Sequence, residues 1–196
     1  MQTMPGFSFF VTLLMGLGAW SVHRLSASLV MAGLAAGLVV SATGIGIEST
    51  SLVAVGVAVG AVCLGVVVGR TVPYRSAPMA LLLGLLSAID IIWVASGGRL
   101  ATDWVNEVLN FSVQLGTGSS SIGTLDLLLA SALSAHWSKR GASLALSVAA
   151  APLGMVISNV YVAMSGADNL PLVPFIGLGW LITESLHRRS EKQQPA

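Results

Sequence analysis

Charged residues make up only 9% of this 196-residue chain, eight of them acidic and nine basic. A soluble domain is ordinarily about a quarter charged, so a conventional water-facing surface is excluded. Aromatic residues are sparse at 6%, and cysteine occurs once, as Cys63. A lone thiol rules out an internal disulfide framework and a thiolate metal cluster; inside an apolar run it reads as a small packed residue. No His, Cys and carboxylate set has metal-ligand spacing, so neither a metal nor another cofactor is expected. The net charge of +1 says little about partners; the positive tail Arg188, Arg189 and Lys192 reads as setting topology rather than as binding nucleic acid, and no nucleic-acid partner is expected. No charge occurs from Met1 to Phe10, so the basic leading region of a signal peptide is missing and the first apolar stretch reads as a retained helix.

What fills the chain instead is apolar sequence, 55% of residues with a mean hydropathy of +0.86. A bilayer span needs roughly 20 such residues. Seven candidates fit, at 5–21, 27–47, 50–69, 78–96, 121–137, 142–164 and 170–187. With short connections they predict an all-α, polytopic membrane bundle of about seven transmembrane helices, an integral multi-pass protein of the lipid bilayer. Three parts are expected: a packing scaffold over 1–77, a functional helix set over 78–190 and a cytoplasmic tail over 191–196. In the scaffold, the pairs Gly33 and Gly37, Gly56 and Gly60, and Gly65 and Gly69 allow close helix approach; dimerisation through one of them is the alternative.

Basic loops stay cytoplasmic. Arg24, Arg70, Arg75, Lys139, Arg140, Arg188, Arg189 and Lys192 fall on one side of a seven-span arrangement and only Arg99 on the other. The N-terminus is therefore expected outside and the C-terminus inside. Residues 97–120 then lie on the outer face. Within them, 101–109 has the period of a short interfacial helix with Trp104 at headgroup level. The run Gly116 to Ser121 reads as a flexible linker, and no Lys follows it as a phosphate-cradling loop would require.

Against this background two acids stand out, Asp90 in the fourth span and Asp126 in the fifth. An ionised carboxylate within a bilayer costs at least a few kcal/mol and persists where a partner or wet cavity compensates. Asp90 lies six residues before Ser96, roughly 9 Å of helix, and Asp126 five residues after Ser121, roughly 7–8 Å. Consecutive antiparallel helices are usually neighbours, so the two carboxylates are expected to face each other in the outer half of the membrane. Two facing acids share a proton, which leaves one carboxylate to activate water and one acid to protonate a scissile group. A helix-tethering hydrogen bond or an ion relay needs the same pair. Glu184, one turn from His187 and Arg188, reads as an ion-pairing residue at the cytoplasmic end. His136 and Trp137 read as interface anchors, and Asn159 and Tyr161 as interhelical hydrogen-bonding residues.

Ala88-Ile89-Asp90-Ile91-Ile92-Trp93-Val94 resembles the first aspartate span of the presenilin and signal peptide peptidase family, and Ile122-Gly123-Thr124-Leu125-Asp126 resembles its Gly-x-Gly-Asp motif. Leu170-Pro171-Leu172-Val173-Pro174 resembles its Pro-Ala-Leu motif at the head of the last span. The three recur in order over 78–187. The chain departs from the family pattern at Leu125, where the family has Gly, at Ile89, where it has Tyr, and in having seven spans rather than nine. The resemblance implies an intramembrane aspartic endopeptidase in a presenilin-like bundle, with Asp90 and Asp126 catalytic. Gly123, Pro171, Leu172, Val173 and Pro174 would position a transmembrane peptide or membrane-protein substrate. With the outer loop between the aspartates, the arrangement is similar to the signal peptide peptidase branch. A prokaryotic cell membrane is the expected location. Asp126 to Ala135 and Pro171 to Phe175 also resemble parts of the prepilin peptidases, and a transporter or a non-cutting helix binder stays open. Independently of any family, Pro171 and Pro174 would delay the start of the last helix and leave backbone groups for a partner, or simply occupy its first turn.

Overall fold

The computed structural model describes residues 5–73, 75–96, 110–115, 118–166 and 170–193. Seven helices and one hairpin occupy them. In chain order these are α1 (Pro5–Val22), α2 (Ala27–Gly46), α3 (Thr50–Thr71), α4 (Ser76–Ala95), β1 (Asn110–Leu115), β2 (Gly118–Gly123), α5 (Thr124–Lys139), α6 (Leu144–Ser165) and α7 (Val173–Gln193). The helices coincide with the seven apolar stretches, and α2, α3, α4 and α6 are long and apolar enough to cross a membrane. The outward faces fit that setting, with Leu38, Val39, Leu81, Leu85 and Ile92 all more than half exposed. Residues 101–109, expected as an interfacial helix, lie outside the described residues.

The fifth stretch departs most from expectation. Residues 118–123 are not a loose linker but the second strand of an antiparallel hairpin, with Ser121 opposite Ser112 and Gly123 opposite Asn110. Strand pairing is made by backbone groups and needs no large side chain. The period-two alternation of Phe111, Val113 and Leu115 on β1 was the available signal. In consequence α5 starts at Thr124 rather than at 121 and has only 16 residues.

A helix so short and so rich in Ser and Ala makes sense because protein, not lipid, surrounds it. Asp126, Leu127 and the whole run from Leu129 to Trp137 are buried. α3 lies on one side, α1 and α6 on others. Gly65 of α3 faces Ser131 and Leu128 of α5, and a Cβ there would come 2.7 Å from the Leu128 carbonyl oxygen. Ser134 donates to the Gly16 carbonyl of α1 at 2.7 Å, and Ser131 returns its hydroxyl to Leu127 O at 2.9 Å. The Ser131 and Ser134 hydroxyls thus each have an acceptor, which removes the penalty of burying them. α3 shares a core with the later helices, Ala61 belonging to the same cluster as Met79, Leu127, Met155 and Trp180, while Val30 of α2 packs in a second cluster with Ala19, Cys63, Val66 and Ala135. Between α2 and α3 the contact is backbone on backbone at Gly37 and Gly60, and Cys63 is buried with its Sγ against Gly33.

Basic side chains gather at one end. Lys139 donates to Arg70 O at 2.5 Å and Val72 O at 3.0 Å, closing the C-terminus of α3 where the helix dipole is negative. Arg70 in turn donates to His23 O and Leu25 O in the α1–α2 turn. At the same end Glu184 of α7 accepts from Ser76, from Arg140 at 2.6 Å and from Arg188 at 2.7 Å. One carboxylate of α7 therefore joins the start of α4 and the end of α5. His136 and Trp137 are not interface anchors: both are 0% exposed. Trp137 meets the His187 ring edge-on at 5.0 Å and takes the Arg140 guanidinium on its face at 4.5 Å. The sequence placed them one turn from Lys139 and Arg140, but burial follows the helix face, and that face points inward.

Candidate functional site

Asp90 sits five residues before the end of α4 and is half-buried, while Ile89, Ile91 and Ile92 around it are exposed. The one acid on a lipid-type helix thus points inward. Its target is the head of α7. The Val173 amide donates to Asp90 Oδ2 at 2.9 Å, and the Leu172 amide also donates to this carboxylate.

The Pro motif explains why one carboxylate suffices there. A helix begins with donors that no intrahelical carbonyl accepts. Pro174, second in α7, has no N–H to satisfy. Phe175 N donates to Leu172 O at 3.0 Å, as does Ile176 N at 3.1 Å. Only the Leu172 and Val173 amides remain, and Asp90 receives both. Leu172 at the N-cap position has no side-chain acceptor, so α4 supplies the capping group that Ser, Thr, Asn or Asp would normally provide locally. Both expectations for the motif are met in part: Pro174 lies in the first turn, and the freed backbone groups do find an outside partner. That partner is Asp90.

Asp126 is the third residue of α5 and is 6% exposed. Its carboxylate reaches back to the Gly123 amide at the N-cap, the acidic half of a capping box. Gly123 is needed for this pose, because a Cβ there would lie 2.7 Å from Asp126 Oδ2. Gly123 therefore positions Asp126, whatever it does to a substrate. Gly123→Ala should rotate the carboxylate away from the cap and cut any Asp126-dependent activity by up to about a hundredfold, as misplacement near 1 Å can. The fold should stay intact, and circular dichroism beside a kinetic assay separates the two effects.

Asp126 lies within range of the Asp90 charge. The route differs from the expected one. α4 packs chiefly against α7, and α5 against α3, α1 and α6, so Asp90 is placed by the head of α7 and Asp126 by the start of α5 rather than by a broad α4–α5 interface. Both sit at helix N-termini, whose partial positive charge favours anions.

Other groups hold α7 in place. A Cβ on Gly154 of α6 would lie 2.6 Å from Ile176 Cα, so that glycine lets α7 approach closely beside its first turn. The Tyr161 ring packs at 5.6 Å on Phe175. Tyr161 thus contributes a ring contact rather than the expected interhelical hydrogen bond. Gly154 and Phe175 escaped sequence reading because neither belongs to a local repeat; their meaning lies in a partner on another helix. Among the described residues no three His, Cys, Asp or Glu side chains are grouped to hold a metal ion. Compared with known proteins, the chain matches no family model, no curated protein and no solved structure.

Proposed function

We propose that this membrane protein is a seven-span, presenilin-like intramembrane aspartic endopeptidase, similar to signal peptide peptidase, that cuts transmembrane helices. The observation that carries the reading is that Asp90, at the head of α7, lies near enough for its charge to act on Asp126, these two being, among the described residues, the acids well inside the apolar helices away from the basic end. Asp90 receives two amide hydrogens and is the natural carboxylate of the pair. Asp126, sealed in the core, is the natural carrier of the shared proton. In the proposed reaction Asp90 takes a proton from water as the water oxygen adds to the scissile carbonyl carbon, and Asp126 protonates the carbonyl oxygen. Collapse of the tetrahedral adduct returns a proton to the leaving nitrogen.

A substrate helix must unwind to present its carbonyl. The hairpin supports this step, since β2 runs directly into the helix that carries Asp126 and each strand of a two-stranded ribbon keeps one edge for a further strand. The basic end would be cytoplasmic in a prokaryotic cell membrane, with the N-terminus outside and the aspartates in the outer half. A prepilin-peptidase-like enzyme would need its acids at the cytoplasmic end. Asp90 is fourteen residues along α4 from Ser76 in the basic cluster, roughly 21 Å, which favours the first reading. The amide contacts of Asp90 favour one further possibility, a non-cutting protein in which the acids only tether helices.

Purified full chain in lipid nanodiscs, given a single-span peptide with its N-terminus on the basic side, is expected to release fragments cut in the half distant from that side. Cleavage solely of the opposite orientation would overturn the topology. No cleavage of either peptide, together with an Asp90- and Asp126-dependent ion flux in liposomes, would replace the protease by a transporter.

A further inference from the structure

A groove of about 500 Å³ runs along the outer surface between α6 and α7, on the side of α7 away from the aspartates' contacts. Its floor is apolar and regular. Leu178, Ile182 and Leu186 follow one another at four-residue spacing and so form a single stripe on α7, with Ile157 of α6 as the facing wall. Arg189 closes the stripe at the basic end. Eleven residues separate it from Leu178, three helical turns, so both lie on nearly the same meridian of the helix. The neighbouring Arg188 is committed to Glu184; Arg189 makes no ion pair among the described residues and is exposed.

The dimensions specify what fits. From Leu178 to Arg189 the rise is roughly 16 Å, about the thickness of one hydrocarbon leaflet. A cation at the end of an apolar channel one leaflet deep is complementary to a molecule with an acyl chain and an anionic headgroup. We propose that this groove is a binding site for an acidic phospholipid of the leaflet at the basic end, its chain along Leu178, Ile182 and Leu186 and its phosphate on Arg189. A neutral zwitterionic lipid could fill the channel but would gain less from the guanidinium. A basic side chain near an anionic lipid surface contributes about a fivefold preference. The site needs neither the proposed peptidase activity nor a given orientation in the membrane.

The test is native mass spectrometry of the full chain released from nanodiscs made with equal amounts of phosphatidylglycerol and phosphatidylcholine. Retention of phosphatidylglycerol over phosphatidylcholine by about fivefold is expected, with Arg189→Ala bringing the ratio close to one and Arg189→Lys preserving it. Ile182→Trp, which fills the channel, should lower retention of both lipids while the chain stays monodisperse. Equal retention of the two lipids by the unaltered chain would overturn the proposal. So would a preference that survives both Arg189→Ala and Ile182→Trp. A lipid-free dimer that Ile182→Trp dissociates would assign the groove to a second copy instead and equally end it.

Discussion

Asp90→Asn is expected to abolish peptide cleavage while leaving the bundle as stable as before, whereas Asp90→Ala should lose both. Asn keeps a side-chain oxygen and is as good a helix N-cap as Asp, so the Leu172 and Val173 amides retain their acceptor. What disappears is the ability to take a proton from water. Losing a positioned acid or base lowers rates by about 10²- to 10⁴-fold. Ala removes the acceptor as well, leaving two amides at the head of α7 unsatisfied, for a further cost of about 0.5–2 kcal/mol. Asp126→Asn should reduce cleavage over the same range, and the double Asn variant should be no worse than either single one, because groups that act as a unit are not additive. Cleavage of a transmembrane peptide and denaturant unfolding in micelles measure the two consequences separately. If Asp90→Asn cuts at the full rate, the acids are caps and nothing more.

The largest stability effect is expected at the opposite end. Glu184→Ala should destabilise the protein by about 3–5 kcal/mol, the usual cost of leaving one member of a buried ion pair without its counter-charge. Arg140 and Glu184 expose only 11% and 6% of their side chains, so little water can replace the lost carboxylate. Ser76 and Arg188 lose an acceptor at the same time. Glu184→Gln keeps the shape and one acceptor oxygen and should cost less. Changing Arg140 and Glu184 together to Met should recover much of the loss, since apolar replacement of a whole buried pair is often neutral. Unfolding midpoints of the three variants decide the matter; a Glu184→Ala change below 1 kcal/mol would mean that Arg140 finds another partner.

Much of this molecule was legible in its sequence because length and hydropathy alone define a membrane helix. The seven helices fall where the apolar runs are, and Cys63 is buried as its surroundings required. What escaped is partnership. Nothing local to Asp90 says that it caps a helix beginning at Val173, and nothing local to His136 says that its face of α5 points inward. The hairpin was hidden for another reason: Gly118 to Ser121 carry so little side-chain information that a paired strand and a free linker read alike. The acids themselves were conspicuous because charge inside apolar sequence is costly. The placing of Asp90 at the head of α7, and the role of Gly123 beside Asp126, required the packing of other helices.

The enclosure of α5 also constrains how the protein is made. Sixteen residues with four serines or histidines and an aspartate among them are a weak substrate for the translocon, which admits segments by their own lipophilicity. α5 is also not among the four described helices long and apolar enough to cross a membrane, so its place depends on α3, whose Gly65 and Gly69 let it approach closely. Where Asp126 rests is thus set by the packing of its neighbours rather than by the lipophilicity of its own helix.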